Sequence, residues 1–370
     1  MNKPLQPSLF EYSVVFTDRA LNHMSPVFQE AMRDISVTLK NVYSADAAII
    51  VPGGGSFGME AVARQFANDA HCLIVRNGWF SYRWSQILET GRIAKSTTVL
   101  MAEAQSSERQ SAFAPPTIDA VVARIAAEQP AVVFAPHVET AAGIVLPDDY
   151  LRAIAIAVHD YGGLFVLDCV ASGALWVNMR EIGVDVLISA PQKGWSATPC
   201  AALIMLSEHA SARLTQTQSS SFAGDLAKWR QIMQAYENGG HAYHATMPTD
   251  ALMTFRCAMH ETQNRGFEAM REAQLSLGTQ VRALLAEHGF RSVAARGFEA
   301  PGVVVCYTDN DAIHTGKRFI ELGLQCAAGV PLQCNEPADY KTFRIGLFGL
   351  DKLTHIERTV ARLRTALESL

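Results

Sequence analysis

Asp168 and Lys193 are the residues of this 370-residue chain whose types and positions most directly suggest chemistry. Asp168 lies in the apolar run LFVLDCV, and Lys193 follows the run VLISA within the segment SAPQKGW. Active sites of open α/β sheets lie at the C-terminal ends of the strands, where both residues are expected. A lysine among apolar and small residues is suited to a Schiff base, because desolvation lowers its pKa. An aspartate opposite that lysine would keep a pyridine nitrogen protonated, so that the ring accepts electrons.

A glycine-rich loop, GGGSFGMEA (53–61), stands between an apolar run and a helical pattern. The loop alone allows a dinucleotide site of the GxGxxG type, a site for one compact phosphate group, or a turn that needs glycine for its backbone angles. A dinucleotide site should carry an acidic residue at the end of the next strand, yet Arg76 stands there. Arg76 would suit a 2′-phosphate, which leaves an NADP-dependent reductase open. For a single phosphate, Ser56 would add a hydroxyl to the free N–H groups of the helix start.

Short strand-like runs alternate with helical patterns over much of the chain. The runs lack strict alternation, which is typical of strands covered by helices on both faces. This pattern predicts an α/β fold, with a mostly parallel seven-stranded sheet in the large domain and a smaller α+β C-terminal domain. The predicted strands of the sheet are AAIIV (47–51), CLIV (72–75), TTVLM (97–101), AVVFAP (131–136), LFVLDCV (164–170), VLISA (186–190) and AALIMLS (201–207).

From about residue 222 onward, long helical stretches dominate the sequence. We expect the strands VVVCYT (303–308) and FRIGLFG (343–349), a helix near 311–322 and a closing helix from Asp351. The predicted division is an N-terminal segment over 1–20, a large domain over 21–260 and a small domain over 261–370.

Composition and charge exclude several classes of function. Apolar residues make up 49% of the chain and charged residues 18%, with a net charge of −5 and no basic stripe, so no nucleic-acid partner is expected. No apolar stretch approaches the roughly 20 residues that span a bilayer. The first residues hold no apolar signal core before Glu11, which predicts a cytoplasmic protein. The seven cysteines form no CxxC pair and no His/Cys metal spacing, so no metal site is predicted.

Several motifs occur together in an order that resembles one enzyme family. The loop GGGSFGMEA, the segments NGWFSYRW (77–84), HVETAAG (137–143), LDCVASGA (167–174), SAPQKGW (189–195) and YHAT (243–246), and the strand FRIGLFG follow one another. The chain resembles the class V aminotransferases among the fold-type I enzymes of pyridoxal 5′-phosphate (PLP), and within them the alanine/serine–glyoxylate aminotransferase group. The resemblance extends from about residue 17 to 368.

The resemblance assigns a role to each candidate site residue. Lys193 would be the Schiff-base lysine, and Asp168 the partner of the pyridine nitrogen. Arg344 would bind the substrate carboxylate, because its guanidinium matches a carboxylate bidentately. The other cofactor contacts that the resemblance implies are Gly54, Gly55 and Ser56 on the phosphate, Phe80 and Val170 on the ring, Thr140 on the phenolic oxygen, Gln192 on the phosphate, and Tyr243 and Thr246 on the phosphate of a partner subunit.

The activity that the resemblance implies is a ping-pong transamination in a homodimer. A small amino acid such as alanine or serine would give its amino group to a small 2-oxo acid, glyoxylate or pyruvate. Two alternatives remain on the same fold: a 2-aminoethylphosphonate–pyruvate aminotransferase, and a cysteine desulfurase or lyase that uses Cys326 as a thiolate. A cofactor-binding sensor without catalysis is a further class, which the intact set of Lys193, Asp168 and Arg344 disfavours.

Overall fold

The computed structural model describes residues 9–370. Residues 1–8, which belong to the predicted N-terminal segment and to the signal-peptide argument, lie outside the described residues. The strands are β1 (Ala47–Pro52), β2 (His71–Arg76), β3 (Ser96–Met101), β4 (Glu103–Ala104), β5 (Phe113–Ala114), β6 (Val132–Pro136), β7 (Val138–Glu139), β8 (Ile144–Val145), β9 (Leu164–Asp168), β10 (Val186–Ser189), β11 (Ala201–Leu206), β12 (Val303–Tyr307), β13 (Ala327–Ala328) and β14 (Thr342–Gly346).

The helices alternate with the strands in the first part of the chain and dominate the second. They are α1 (Pro26–Tyr43), α2 (Gly55–Phe66), α3 (Trp79–Gly91), α4 (Ile118–Glu128), α5 (Asp148–His159), α6 (Met179–Ile182), α7 (Glu208–Leu214), α8 (Leu226–Glu237), α9 (Thr249–Arg265), α10 (Phe267–Glu287), α11 (Asp311–His314), α12 (Lys317–Glu321), α13 (Leu350–Thr354) and α14 (Ile356–Leu367).

A seven-stranded sheet in the order β1-β11-β10-β9-β6-β2-β3 confirms the predicted fold class. β11 runs antiparallel to both of its neighbours, and the other neighbouring pairs are parallel. The central strands are buried along almost their whole length, because helices cover both faces of the sheet. All seven predicted strands are present, each within a residue or two of its predicted ends. The C-terminal ends of β1, β2, β6, β9 and β10 therefore meet at one edge.

The C-terminal part contains a three-stranded antiparallel sheet in the order β12-β14-β13. Its core includes Phe319 and Phe343, packed with residues of α10, α13 and α14. A separate apolar cluster joins this part to the large sheet, since Val303 and Tyr307 of β12 pack in one group with Val138 and Ala141. Arg344 on β14 is thereby brought close to the large sheet.

Two helices that the sequence predicts as continuous are each divided into two shorter helices. The helix expected near 311–322 is two short helices, α11 and α12, because the backbone at Gly316 is left-handed with φ of 79°. The closing helix is also divided, since His355 ends α13 and precedes α14 with non-helical angles. The expected boundary at 260/261 falls inside α9, and the chain turns between α9 and α10 at Gly266, where φ is 85°.

None of the helices in residues 9–370 combines the length and the apolar character needed to cross a membrane.

Candidate active site

A cavity of about 200 Å³ lies at the C-terminal edge of the parallel strands. Eight of the twelve predicted site residues line it: Gly55, Ser56, Phe80, Thr140, Asp168, Val170, Gln192 and Lys193. The remaining lining residues are Met59, Arg83, Val138 and Ala171. The wall residues come from segments at or shortly after the C-terminal ends of strands of the large sheet, which is why residues far apart in sequence meet here.

Asp168 and Lys193 stand at the C-terminal ends of two neighbouring parallel strands, β9 and β10. Asp168 is the last residue of β9 and pairs in register with Ile188 of β10, a few residues before Lys193. Burial raises the pKa of Asp168 to about 6, although the backbone N–H of Val170, at 2.9 Å from Oδ1, opposes that rise. Burial also lowers the pKa of Lys193, and the nearby charge of Asp168 opposes this shift. The cavity thus weakens both charges and favours a lysine that can lose its proton.

The first turn of α2 forms the end of the cavity suited to an anion. Gly54 is the N-cap of α2 with extended backbone, so Gly55 and Ser56 present N–H groups that have no partner within the helix. Arg83 Nη1 donates a hydrogen bond to Ser56 Oγ at 2.7 Å, which places a guanidinium beside the same turn. A Cβ on Gly55 would lie 2.6 Å from Val170, so only glycine permits this close approach.

Phe80 is held in place by a buried carboxylate at the start of α3. Glu139 accepts hydrogen bonds from the N–H groups of Phe80 (3.3 Å), Ser81 (2.8 Å) and Ala141 (2.9 Å), and from Ser81 Oγ (2.7 Å). Gly78, the N-cap of α3, leaves the necessary space, since a Cβ there would lie 2.8 Å from Glu139. The position of the Phe80 ring, which faces the cavity, is therefore fixed through the backbone of Phe80.

Two buried polar atoms of the site lack a partner among the described residues: Thr140 Oγ1 and Gln192 Oε1. Buried polar atoms are normally hydrogen-bonded, so their position on the cavity wall is consistent with partners on a bound molecule. Together with the N–H groups of α2, the carboxylate of Asp168 and the amine of Lys193, they provide the donors and acceptors that a phosphorylated pyridine aldehyde requires. The residues present fit PLP.

Arg344 and Lys193 face the same aromatic ring from different sheets. Arg344 Cζ lies 5.5 Å and Lys193 Nζ 5.9 Å from the centroid of the Phe80 ring. Arg344 Nε donates a hydrogen bond to the carbonyl oxygen of Ala328 at 2.8 Å, which orients its guanidinium. Phe348, just beyond β14, has its ring centroid 5.4 Å from Lys193 Nζ. The C-terminal part therefore supplies a cation and an apolar wall to the lysine.

Tyr243 and Thr246 do not line the cavity of their own chain. Tyr243 Oη lies 3.0 Å from Thr246 Oγ1 in an exposed segment, and Tyr243 is 52% exposed. Thr246 lines a surface cleft that also includes Phe57, the neighbour of Ser56. The role that the resemblance implies for this pair requires a second subunit and remains a prediction.

Two residues of the site, Arg83 and Glu139, are not among those predicted from the sequence. Arg83 stands three residues after Phe80 in NGWFSYRW, a spacing that puts both on one helix face, and this signal was available. Glu139 precedes Thr140 in the apolar context of HVETAAG, where an acidic residue indicates a buried partner set.

The reductase alternative depends on Arg76 and the desulfurase alternative on Cys326, and neither residue lines the cavity. Arg76 is a structural residue, because its guanidinium donates hydrogen bonds to Ser85 Oγ (2.8 Å) and to the carbonyl oxygen of Gln333 (3.1 Å). Cys326 does not line the cavity, and burial raises the pKa of its thiol to about 11. The reductase and desulfurase alternatives gain no support from these positions.

The curated relatives of this chain are named transaminases, and its structural neighbours include aminotransferases together with a cysteine desulfurase from Thermococcus onnurineus. No protein-family profile matches it. A 2-aminoethylphosphonate–pyruvate transaminase from Burkholderia ambifaria is 28% identical over 336 residues, covering 88% of this chain and 83% of the relative. The structure of an alanine–glyoxylate aminotransferase from Nostoc sp. matches with a TM-score of 0.77 at 21% identity, covering 94% of this chain and 88% of that one. A pyridoxamine–pyruvate aminotransferase from Mesorhizobium loti gives a TM-score of 0.78 at 18% identity, with coverage of 94% and 85%.

These relatives agree with the fold and with the motifs that the sequence carries. The solved structures share the fold-type I architecture around the seven-stranded sheet, and the curated relatives match over most of their own length. The curated relatives are named transaminases, and together with the shared fold they support the assignment to the class V PLP-dependent aminotransferases that the motifs suggest.

Proposed function

We propose that this enzyme moves the amino group of a small donor that carries an anionic group to glyoxylate or pyruvate, with PLP bound in the cavity described above. The observation that carries the proposal is the placement of Lys193 Nζ and Arg344 Cζ, which lie 5.9 and 5.5 Å from the same Phe80 ring. A donor whose anionic group binds Arg344 would hold its amino-bearing carbon near Lys193.

The residues at the two ends of the cavity would hold the cofactor. Gly55 and Ser56 would donate to its phosphate, and Arg83 would balance part of the phosphate charge. Asp168 would accept a hydrogen bond from the pyridine nitrogen and keep it protonated. Thr140 would donate to the phenolic oxygen, while Phe80 and Val170 would fix the ring plane from its two faces.

Lys193 is the residue that would move the proton. Bound PLP withdraws electrons from the donor carbon, which makes a proton on that carbon acidic. The lowered pKa of Lys193, which burial causes, increases the fraction of neutral amine available to take this proton. The same amine would then donate this proton to the cofactor. The rings of Phe80 and Phe348, with centroids 5.9 and 5.4 Å from Lys193 Nζ, would keep water away from the amine during this transfer.

Two donor classes fit the site. The alanine/serine–glyoxylate resemblance favours a small amino acid, whose carboxylate would bind Arg344 bidentately. The name of the Burkholderia ambifaria relative favours 2-aminoethylphosphonate, whose dianionic phosphonate would bind the same guanidinium. Pyruvate or glyoxylate would then accept the amino group in the second half of a ping-pong cycle.

The proposal includes a cytoplasmic homodimer in which Tyr243 and Thr246 reach the cofactor phosphate of the partner subunit. Its support is the exposed position of both residues beside the cleft that contains Phe57. Phe57 and Phe222 are 65% and 78% exposed, so the surface around this segment is rich in exposed aromatic side chains.

The decisive experiment is a single-turnover screen of the PLP-loaded enzyme without an acceptor. Alanine, serine, 2-aminoethylphosphonate and its sulfonate analogue taurine are added separately, and the visible absorption of bound cofactor is followed. We expect alanine and serine, or 2-aminoethylphosphonate, to convert the cofactor fully to its amine form, and pyruvate or glyoxylate to restore the original spectrum. Arg344→Lys should weaken donor binding about tenfold, because it loses a bidentate pair, and should leave the spectrum of the loaded enzyme unchanged.

Lys193→Ala is the matched control, since it removes the proton carrier and should give no conversion with any donor. An enzyme that binds PLP but converts it with none of these amines would refute the proposed reaction. Conversion by taurine as fast as by 2-aminoethylphosphonate would refute a phosphonate-specific donor site and leave a general anion site.

A further inference from the structure

His159, Asp185 and His209 form a cluster at the edge of the sheet opposite to the candidate active site. Asp185 directly precedes β10, whereas Lys193 follows the other end of that strand. His159 is the last residue of α5, and His209 lies in the first turn of α7. The three side chains come from segments about 25 residues apart, so no local metal-binding spacing reveals them in the sequence.

The nitrogen and oxygen atoms of the cluster already have nearly the separation of metal ligands. His159 Nε2 lies 2.8 Å from Asp185 Oδ2, and His209 Nδ1 lies 3.1 Å from Asp185 Oδ1. One ligand atom from each residue lies within 4.8 Å of the other two. A tetrahedral Zn²⁺ ion with bonds of roughly 2.0–2.1 Å separates its ligand atoms by about 3.3–3.4 Å. Small side-chain rotations would therefore bring the three groups onto one ion.

The carboxylate of Asp185 is also held by two hydrogen-bond donors from outside the cluster. Asp185 is only 2% exposed, and it accepts hydrogen bonds from the Phe165 N–H at 2.8 Å and from Ser207 Oγ at 3.0 Å. Such partners behind a ligand orient it and raise metal affinity. The imidazoles are 38% and 40% exposed, so an ion can enter from solvent and keep a water molecule. A rigid buried carboxylate thus faces two accessible nitrogen ligands.

We propose that His159, Asp185 and His209 bind one zinc-class divalent ion, with water as the fourth ligand. Two imidazoles and one carboxylate suit Zn²⁺, whereas Mg²⁺ and Ca²⁺ prefer sites built from oxygen. The ion would tie the end of α5 and the start of α7 to the strand that leads to Lys193, which stabilises the large sheet without any contact with the cofactor. The site lies outside the aminotransferase chemistry and does not depend on the donor.

The test is equilibrium dialysis of the untagged, PLP-loaded full chain against Zn²⁺ and, separately, Mg²⁺, with bound metal measured by mass spectrometry. We expect one Zn²⁺ per chain, no Mg²⁺, and a higher Tm with zinc. His159→Gln and His209→Asn should each weaken zinc binding at least tenfold. Both amides still donate to Asp185, so circular dichroism and cofactor absorption should match the wild type. His288→Gln, a histidine that caps the end of α10, is the control and should bind zinc normally.

Two results would overturn the proposal. One is a wild-type protein that binds no more zinc than the His159→Gln/His209→Asn double variant. The other is zinc that survives in the double variant and is lost on changing the exposed thiol in Cys257→Ser, which would assign the ion to that cysteine. Co²⁺ substitution gives an independent signal, since a tetrahedral site should show intense visible bands that vanish in the double variant.

Discussion

At Asp168 the needs of the cofactor and the stability of the fold conflict. Asp168 is half-buried on the cavity wall, and the only hydrogen bond to its carboxylate among the described residues is the one from the Val170 N–H. Its pKa is about 6 in the folded protein, against about 3.9 for an unfolded aspartate. A raised pKa means that the folded chain disfavours the charged form. The contribution of Asp168 to stability is therefore fully present below about pH 4 and is lost as the pH rises through about 6.

Asp168→Asn should stabilise the cofactor-free protein at pH 7.5, by up to about 3 kcal/mol in the free energy of unfolding. The amide removes the buried charge, and its oxygen can still accept from the Val170 N–H. At pH 4 the variant and the wild type should have similar stability. Urea unfolding at several pH values measures the difference, with Asp119→Asn on the exposed start of α4 as the control. Parallel curves for variant and wild type between pH 4 and 7.5 would contradict this account of Asp168.

At the scale of elements, α3 depends on a carboxylate that belongs to β7. Glu139 accepts all four hydrogen bonds described above, and three of its donors are backbone N–H groups. A helix N-terminus favours a negative charge, and the N–H groups of Phe80 and Ser81, in the first turn of α3, have no partner within the helix. Glu139 thus sets the start of α3 and, through it, the position of the Phe80 ring.

Glu139→Gln should lower the free energy of unfolding by about 1–3 kcal/mol, because one amide oxygen replaces two carboxylate oxygens and leaves N–H groups unpaired. PLP should also bind more weakly, since Phe80 loses its fixed position. Chemical denaturation and titration of the cofactor-free protein with PLP measure the two effects. Ser81→Ala also costs stability, because Ser81 Oγ accepts from the N–H groups of Asn77 and Gly78, but it leaves the Phe80 N–H bonded to Glu139 and should weaken PLP binding less. Full stability in Glu139→Gln would rule out the capping role.

The elements also show what the sequence predicts well and what it does not. The seven strands were predictable because each is a short apolar run that helices cover on both faces. Eight site residues meet because parallel strands end at one edge, a consequence of the fold class. The sequence carries a signal for Arg83 and for Glu139, but their partners lie 27 and 58 residues away, so only the folded chain reveals which residues they bind. No glycine or proline stands at the interruption between α13 and α14, so the sequence does not predict the break at His355.

At the scale of the whole molecule, the proposed sharing of the site between subunits can be tested by mixing two damaged chains. One chain carries Lys193→Ala, and the other carries Tyr243→Phe with Thr246→Val. In a mixed dimer, the intact Lys193 of one chain would meet the intact Tyr243 and Thr246 of the other. We expect activity to rise clearly above that of either variant alone after subunit exchange, measured as amino transfer to pyruvate or glyoxylate.

The same variants give the control for this mixing experiment. Each homodimer alone, taken through the same exchange procedure, should stay at its own low activity. If Tyr243 and Thr246 act within their own subunit, every site in the mixture carries a defect and no activity returns. That outcome, or full activity in a monomer, would refute the shared site.

Arg344 and Lys193 belong to different sheets, and this division has an evolutionary consequence. The lysine and the aspartate that would carry the chemistry follow strands of the large sheet, while the guanidinium that would select the donor stands on β14 of the small one. Substitutions around β14 can therefore retune which amine is accepted while the proton-moving groups stay untouched. Because donor selection and proton transfer would be carried by different parts of the chain, descendants of this enzyme can come to use another nitrogen source while the reaction type is kept.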